Sequence, residues 1–325
     1  MRHVQDAGYF PRGQSVLRRV HEERAVGLLY GQRSLLMQAT HPVAFTGLLA
    51  ATDGTPAPFQ RLARTAKFME TVYFGSRAEA DRVTNAVRQM HSRVRGTTDR
   101  PAGPHPAGTP YSADDPQFLL WILACLADSA LVLHRVFVGD LTPAENERFW
   151  DDYLVVGELF GLNRAHGPAT YREFRDYMRE RVASRDLFVT PEARELGLQV
   201  AFDLPLPARR RAALPAVNLA VTGSLPRRVR KLYGINWSTA HEAAYQALVR
   251  SHRLSRPVVP LSLKRGSCAR DYDLVAKTER RRLADAACLH RAARSASRRR
   301  VAADDVRGRR RRDEPAERGL RRPTT

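Results

Sequence analysis

The stretch FLLWILACLADSALVLHRVFV, residues 118–138, is apolar enough to form either the central helix of a soluble protein or a membrane span. Asp115 and the proline after it place an N-cap residue before a first helical position, which predicts that a helix begins there. Asp128 lies near the centre of the stretch, and His134 and Arg135 lie near its end. Ionisable groups are costly at membrane depth unless they are paired. We therefore predict a buried core helix, with a peripheral or single-span membrane arrangement as the alternative.

Helix start signals recur along the rest of the chain. Ser76 is followed three residues later by Glu79, which is the pattern of a capping box, and Gly96 supplies a C-terminal stop. These signals predict a helix of about 19 residues. Thr142 and Thr190 each precede a proline, so two further helices are predicted to begin at those prolines.

Periodicity elsewhere supports the same fold class. ERAVGLLYGQRSLLMQAT, residues 23–40, repeats apolar residues at helical spacing, and Pro42 imposes a boundary after it. Strand signals are nearly absent, since only RPVVPLSL, residues 256–263, is rich in β-branched residues, and its prolines reduce it to an edge or extended segment. No repeat of solenoid length is found. We predict an all-α fold built as a single helical domain.

Charge is unevenly distributed along the 325 residues, which carry a formal net charge of +20. From Lys264 to the end the chain has 20 Lys or Arg and 9 Asp or Glu residues, a net of +11. Aromatic and β-branched residues are scarce there, so this stretch lacks the apolar surface needed to order itself. We expect an N-terminal arm over residues 1–20, the helical domain over 21–260 and a disordered basic tail over 261–325.

Three interpretations of the basic tail stay open. It is an electrostatic arm that binds nucleic acid or anionic lipid weakly, a solvated extension without a partner, or the product of a shifted reading frame in a GC-rich gene. The absence of aromatic residues among the basic ones favours the solvated extension over a nucleic-acid-binding arm.

Common enzyme motifs are missing from the chain. It has no glycine-rich phosphate loop and no nucleophile elbow, and HEAAY, which begins at His241, has Tyr245 where a zinc HExxH motif has its second histidine.

The three cysteines, Cys125, Cys268 and Cys288, form no CxxC pair and fit a reducing compartment. No apolar signal segment is visible at the N-terminus. We expect a cytoplasmic protein, with a peripheral membrane association as the variant.

One histidine lies among apolar residues in the stretch RLARTAKFMETVYFGSRAEADRVTNAVRQMHSRVRG, residues 61–96. Arg61, Arg64, Thr65 and Phe68 follow helical spacing, and His91 is predicted to face inward from the next helix. The residues that share its stripe are Val83, Val87, Met90 and Val94. Such a histidine is typical of a core residue with one hydrogen bond as well as of a ligand. The arginines likewise fit an ordinary basic helix face, with the threonine bonded to the preceding turn.

Six segments of the chain, in order, resemble the MpaB-type oxygenase family, which includes the latex-clearing rubber oxygenases. The segments are LLYGQRSLLMQATHPVAF (28–45), RLARTAKFMETVYFG (61–75), QMHSRVRG (89–96), YSADDPQFLLW (111–121), GDLTPAENERFW (139–150) and LPRRVRKLYGINWS (225–238). The resemblance spans about residues 21 to 250 and implies an all-α, globin-like core that binds haem b through an axial histidine.

The family's HxxVxG histidine falls on His91, and its RxxxT pair falls on Arg61 and Thr65. The resemblance therefore implies that His91 is the iron ligand and that its other ring nitrogen donates to a carbonyl or carboxylate. It also implies that Arg61 and Arg64 bind the haem propionates or stabilise charge on oxygen, and that Thr65 forms one hydrogen bond to the oxygen ligand. His41, before Pro42, is a rival ligand, or it caps the broken helix there.

Two residues depart from the family pattern. Rubber oxygenases have a lysine before the motif threonine, and Arg64, which stands there in this chain, keeps its proton and serves as a fixed cation and hydrogen-bond donor. Many relatives have a histidine where this chain has Leu123.

The resemblance implies an oxygenase that uses haem b and O2 on a small apolar substrate, of which isoprenoids are an example. A basic nucleic-acid- or membrane-associated protein and a cofactor-free relative are the alternatives.

Overall fold

The computed structural model describes residues 8–50, 57–267, 270–271 and 274–288, and the chain divides into two units after Thr278. Helices make up most of the described residues, so the predicted all-α fold class is confirmed. The helices are α1 (Val16–Glu22), α2 (Arg24–Gln38), α3 (Pro42–Ala50), α4 (Pro58–Phe74), α5 (Arg77–His91), α6 (Pro116–Phe137), α7 (Pro143–Leu159), α8 (Tyr171–Ala183), α9 (Pro191–Phe202), α10 (Leu214–Ser224), α11 (Arg227–Leu232), α12 (Thr239–Ser255) and α13 (Leu261–Lys264). Residues 274–288 are also helical and are called α14. An antiparallel hairpin, β1 (Arg95–Thr97) and β2 (Pro110–Ser112), was not predicted.

Capping interactions begin the helices where the sequence predicts. The Glu79 amide donates to Ser76 Oγ over 3.3 Å, and the Ser76 amide donates to Glu79 Oε2 over 2.9 Å, so both halves of the capping box form. Thr142 and Glu145 repeat this box at α7. Asp115 accepts from an amide in the first turn of α6 over 2.8 Å. Each cap contributes about 1 kcal/mol, so the chain itself defines these helix starts.

The end of α5 differs from the prediction. The helix stops at His91, and Ser92 is its C-cap residue, so the predicted continuation to Gly96 is wrong. Gly96 instead pairs with Tyr111 in the β-hairpin, where an added Cβ would lie 2.8 Å from the tyrosine hydroxyl. The glycine is needed for this close approach of the ring and does not serve as a helix stop.

Residues 16–20 belong to the core, whereas the sequence assigned them to an N-terminal arm. Helix α1 crosses the predicted boundary at residue 20, and Val16, Leu17 and Val20 are buried. Asp152 of α7 accepts a hydrogen bond from the Leu17 amide over 3.0 Å. The boundary therefore lies before α1, because its apolar side chains are a structural part of the bundle.

The predicted disordered tail is also partly helical. RPVVPLSL contains the short helix α13 where an edge or extended segment was predicted, and α14 follows at residues 274–288. Val275 packs with Phe59 and Val200, and Ala276 packs with Ala63. The average composition of the tail did not indicate that two neighbouring apolar residues, Val275 and Ala276, are buried. Residues 289–325 lie outside the described part of the chain.

Helix α6 is the centre of the core. Its most extensive packing is along α2, and the surrounding cluster draws on α1, α4, α7, α8, α10 and α11. By length and composition alone α6 could cross a membrane, but 61% of its most apolar window is buried inside the protein. Trp121 of α6 and Trp150 of α7 are fully buried. The burial of α6 agrees with the predicted core helix.

A buried ion cluster ties α6 to three other helices. Arg33 Nη2 lies 2.9 Å from Asp128 Oδ2, and Arg175 Nη1 lies 2.7 Å from Asp128 Oδ1. Arg33 also donates to Ser129 Oγ over 2.7 Å and to the Ser224 carbonyl over 3.2 Å. The Arg33 side chain is 2% exposed and that of Asp128 is 7% exposed. The cluster joins α2, α6, α8 and the end of α10. It pairs Asp128, whose position near the centre of the apolar stretch made a membrane span unfavourable.

A second polar cluster lies where α1, α4 and α7 meet. His21 Nε2 and Tyr153 Oη are 2.8 Å apart, and Tyr153 Oη is 3.2 Å from Tyr73 Oη. The His21 ring stacks on Tyr73 with the ring centroids 4.2 Å apart. Burial, with a smaller effect from His134, lowers the pKa of His21 to about 3. The histidine is therefore neutral in the folded protein at neutral pH.

We predict that Asp128→Asn destabilises the fold by about 3–5 kcal/mol, because the buried Arg33 loses its counterion while the shape of the site is kept. Urea unfolding followed by circular dichroism measures the change. Arg175→Met is the control and should cost less, since the Arg175 side chain is 35% exposed and its loss leaves the Arg33–Asp128 pair intact. Equal stability of Asp128→Asn and wild type would contradict a structural role for the cluster.

We predict that the free energy of unfolding decreases as the pH falls, because His21 binds a proton more readily in the unfolded chain than in the folded protein. Its pKa is about 3 when folded and about 6.5 when unfolded, so the unfolded chain binds the extra proton between these values. Lowering the pH from 7 to 5 should cost about 2 kcal/mol of stability through this group. The variant His21→Gln should lose less stability than wild type over the same interval, by about that amount. Identical losses in both proteins would exclude His21 as the source.

Candidate functional site

Helices α4 and α5 form a tight helical hairpin that carries most of the predicted site residues. Only two residues, 75 and 76, connect the helices, and α4 packs against α5. The two helices are similar in length, with 17 residues in α4 and 15 in α5. His91 is the last residue of α5, and Arg61, Arg64 and Thr65 lie in the first half of α4.

The predicted residues of α4 are on its exposed side. Arg64 and Thr65 are exposed and Arg61 is half-buried, whereas Ala63 and Ala66 are buried in the protein. Burial, and then repulsion by the charge of Arg64, lower the pKa of Arg61 from its ordinary value of 12.5. Guanidinium groups remain protonated in proteins. The first half of α4 therefore has two neighbouring cations, Arg61 and Arg64, and the accessible hydroxyl of Thr65.

The apolar stripe of α5 is less buried than the sequence predicts. Val83, Val87, His91 and Val94 are half-buried, and Met90 is 45% exposed. His91 is therefore half-buried where the sequence predicted an inward-facing residue. The buried residues of α5 are Ala80 and Thr84. A long apolar stripe that the rest of the described chain covers only in part is a surface suited to binding another apolar group.

His91 itself has an unusual environment. Its Nδ1 atom is buried and has no hydrogen-bond partner among the described residues. Burial lowers the pKa of His91, and the charge of Asp114 partly opposes this effect. The ring is therefore biased toward the neutral form, which is the form that ligates metals. Leaving a buried polar nitrogen without any hydrogen-bond partner costs about 1–3 kcal/mol.

The β-hairpin borders the His91 end of α5. The Ala113 amide donates to the Val94 carbonyl over 2.9 Å, and α3 packs on β2. Asp114 lies two residues after β2 and is the carboxylate whose charge acts on His91. Sequence reasoning missed Asp114 and Tyr111 as neighbours of the site. Their segment, YSADDP, matched the family pattern, but the short strands that place it beside α5 have no local signal.

His41 lies in a different setting. The Ala44 amide donates to its Nδ1 over 3.4 Å, so His41 caps the start of α3 as the capping alternative predicts. Its ring centroid is 5.4 Å from that of His105 and 5.2 Å from that of Phe118. Burial, followed by the positive charge of Arg181, lowers its pKa to about 4. These contacts give the rival ligand a structural function.

Two other sequence features have structural roles. Leu123 is buried where α6 meets α7, and a Cβ added to Gly157 would lie 2.9 Å from its Cδ2 atom, so this departure from the family pattern is a packing contact. His241 of HEAAY completes the capping box of α12, with its Nδ1 atom 2.9 Å from Ser238 Oγ. Among the described residues no three His, Cys, Asp or Glu side chains converge as a metal site.

Comparison with known proteins agrees with this architecture. Residues 18–254 match the family described as ER-bound oxygenase mpaB/B'/Rubber oxygenase, catalytic domain. Uncharacterized proteins of Mycobacterium bovis (Mb2261) and Mycobacterium tuberculosis (Rv2237) are each 24% identical over 203 residues, which cover 62% of this chain and 76% of theirs. No solved structure matches the chain significantly. The match over residues 18–254 shows that the chain belongs to the mpaB and rubber oxygenase family and contains its oxygenase catalytic domain, which makes it an oxidoreductase by family.

Proposed function

We propose that this protein is a haem b-dependent oxygenase in which His91 is the axial iron ligand. The observation that carries the proposal is the buried Nδ1 atom of His91, which has no partner among the described residues and belongs to a ring biased toward the neutral form. A porphyrin supplies four nitrogen ligands of its own and needs one imidazole from the protein. A single suitable histidine therefore fits haem better than a metal ion bound by side chains alone.

The surroundings of His91 fit the same cofactor. Val83, Val87 and Val94 are half-buried apolar residues of the kind that cover a porphyrin face. Arg61 and Arg64, in the first half of the helix that packs on α5, are our candidates for the positive charge that haem propionates require. Asp114 is our candidate for the group that accepts a hydrogen bond from the second ring nitrogen of His91, since its charge already acts on that ring.

Haem supplies the chemistry of O2 binding and activation when it is bound. The residues of this chain orient the reactants and control water and charge around them. Arg64 holds a permanent positive charge where rubber oxygenases have a lysine, so it donates hydrogen bonds and does not release its proton. The exposed hydroxyl of Thr65 provides one further donor or acceptor on the same side of α4.

We further propose that the substrate is small and apolar. The half-buried valines of α5 and Phe68 of α4 offer aliphatic and aromatic contact surface, and Arg64 and Thr65 supply polar groups on α4. Sites of this composition bind apolar ligands and orient them with a few polar contacts. Isoprenoids are a substrate class compatible with this surface and with the family's rubber oxygenase members.

We predict that His91→Ala abolishes stable haem binding, because the iron loses its protein ligand. The ratio of the Soret absorbance to protein, measured with circular dichroism as a control for folding, reports the loss. Added imidazole should restore part of the absorbance by occupying the vacated space. His41→Ala, which removes the α3 cap, should retain haem and lose about 1 kcal/mol of stability. If His41→Ala loses haem while His91→Ala keeps it, the ligand assignment is reversed; a wild-type protein that takes up no haem refutes the proposed cofactor.

We predict that Thr65→Val shifts the visible bands of the haem-loaded protein or its rate of oxidation by O2, because one hydrogen-bonding group is removed at nearly constant volume. Stability should change by less than about 0.5 kcal/mol, since the side chain is exposed. The matched control is Thr71→Val on the same helix, where the hydroxyl donates to the Lys67 carbonyl over 3.0 Å. Spectra and rates that are the same in wild type and both variants would assign Thr65 to the helix surface alone.

A further inference from the structure

The segment between the end of α12 and α13 exposes a group of aliphatic side chains. Leu254 is 80% exposed, Val258 83%, Leu261 60% and Leu263 56%. Every other large apolar side chain in the described part of the chain is less exposed than these four. Pro257 and Pro260, also exposed, lie between them. We call this group the 254–263 patch, and its apolar area requires an explanation because soluble surfaces rarely concentrate aliphatic residues in this way.

The patch is held in place at both ends. Arg253 donates to the Val136 carbonyl at the end of α6 over 2.8 Å, and Arg256 Nη2 lies 2.7 Å from Glu23 Oε1. On the far side Arg265 forms an antiparallel bridge with Glu23. The main chain is therefore tied to the body of the protein, and the aliphatic side chains point outward from a fixed frame.

The surroundings of the patch are basic. Between residues 243 and 270 the chain has no Asp or Glu, and its basic residues are Arg250, Arg253, Arg256, Lys264, Arg265 and Arg270. Arg256 and Arg265 are paired with Glu23 and Glu22. The remaining four carry positive charge around the patch, so a partner of complementary chemistry is both anionic and apolar.

Three other occupants match this combination less well. The chain's own residues 291–325 include only Val301, Val306 and Leu320 as large apolar residues and are strongly basic, so their composition complements neither the charge nor the apolar area of the patch. A second copy of the protein would bring two basic surfaces together. Nucleic acid neutralises the charge but offers no apolar environment to leucine side chains.

We infer that the 254–263 patch docks the protein on a phospholipid membrane with anionic headgroups. The four aliphatic side chains enter the boundary between headgroups and acyl chains, and the surrounding arginine and lysine side chains contact lipid phosphates. Helix α6, the apolar helix of membrane-spanning length, is largely buried and does not provide this contact. The docking depends on neither haem nor catalysis, so it stands or falls separately from the proposed function.

The test is cosedimentation of the full chain with vesicles of phosphatidylcholine alone and with vesicles that also contain phosphatidylglycerol, at low and high salt. Wild type should bind the anionic vesicles and keep a bound fraction at high salt, because apolar insertion is not screened. The double variant Leu261→Ser/Leu263→Ser removes apolar area without changing charge, and it should lower the partition coefficient at least about tenfold. The matched control Leu283→Ser, at an exposed leucine outside the patch, should bind as wild type does.

Circular dichroism confirms that the variants are folded, which is expected for substitutions of exposed leucines. The inference is overturned if wild type does not bind, or if the double variant binds as tightly as wild type, since charge alone would then account for attachment. It is also overturned if the double variant changes only the oligomeric state, measured by analytical ultracentrifugation. Binding to a DNA duplex that the double variant weakens as much as vesicle binding would assign the patch to nucleic acid instead.

Discussion

Burial of one arginine constrains the whole helical assembly. The guanidinium of Arg33 is removed from water in the middle of α2, and the groups that compensate it come from α6 and from the end of α10. Asp128 in turn requires Arg175 of α8 for its second oxygen. Apolar side chains pack acceptably in many registers, whereas a buried ion pair tolerates very few. We attribute the single register of α2 on α6 to this pair, and the positions of the outer helices follow from that register.

The candidate site differs from the core in its hydrogen bonding and in the exposure of its apolar residues. In the core the side chains of Arg33 and His21 have hydrogen-bond partners. On the α4–α5 hairpin a buried nitrogen of His91 has no partner in the described chain, and an apolar stripe is half-exposed. Departures from good local packing are expected most often at functional sites. The stability of the core offsets the free-energy cost of the half-exposed apolar stripe on the α4–α5 hairpin.

Local signals predicted the helices, and long-range contacts produced the differences. Ser76 and Thr142 define helix starts through bonds to residues three positions away, so one sequence suffices to find them. Gly96 was misinterpreted because its role depends on Tyr111, fifteen residues later and across a hairpin. For the site, the motif selected His91, but the exposure of its stripe and the presence of Asp114 depend on how the hairpin meets β2. No periodicity within α5 contains that information.

The Arg33–Asp128–Arg175 cluster also bears on how the protein is synthesised. Asp128 leaves the ribosome 47 residues before Arg175, a delay of several seconds at about 5–20 residues per second. During that interval α2 and α6 are complete, but the second cation for the aspartate does not yet exist. Arg33 and Asp128 can pair during that interval, whereas the second carboxylate oxygen of Asp128 waits for the cation of α8. Translation beyond residue 175 thus sets the earliest moment at which the complete three-residue cluster, and with it this contact of α8 with α6, can form.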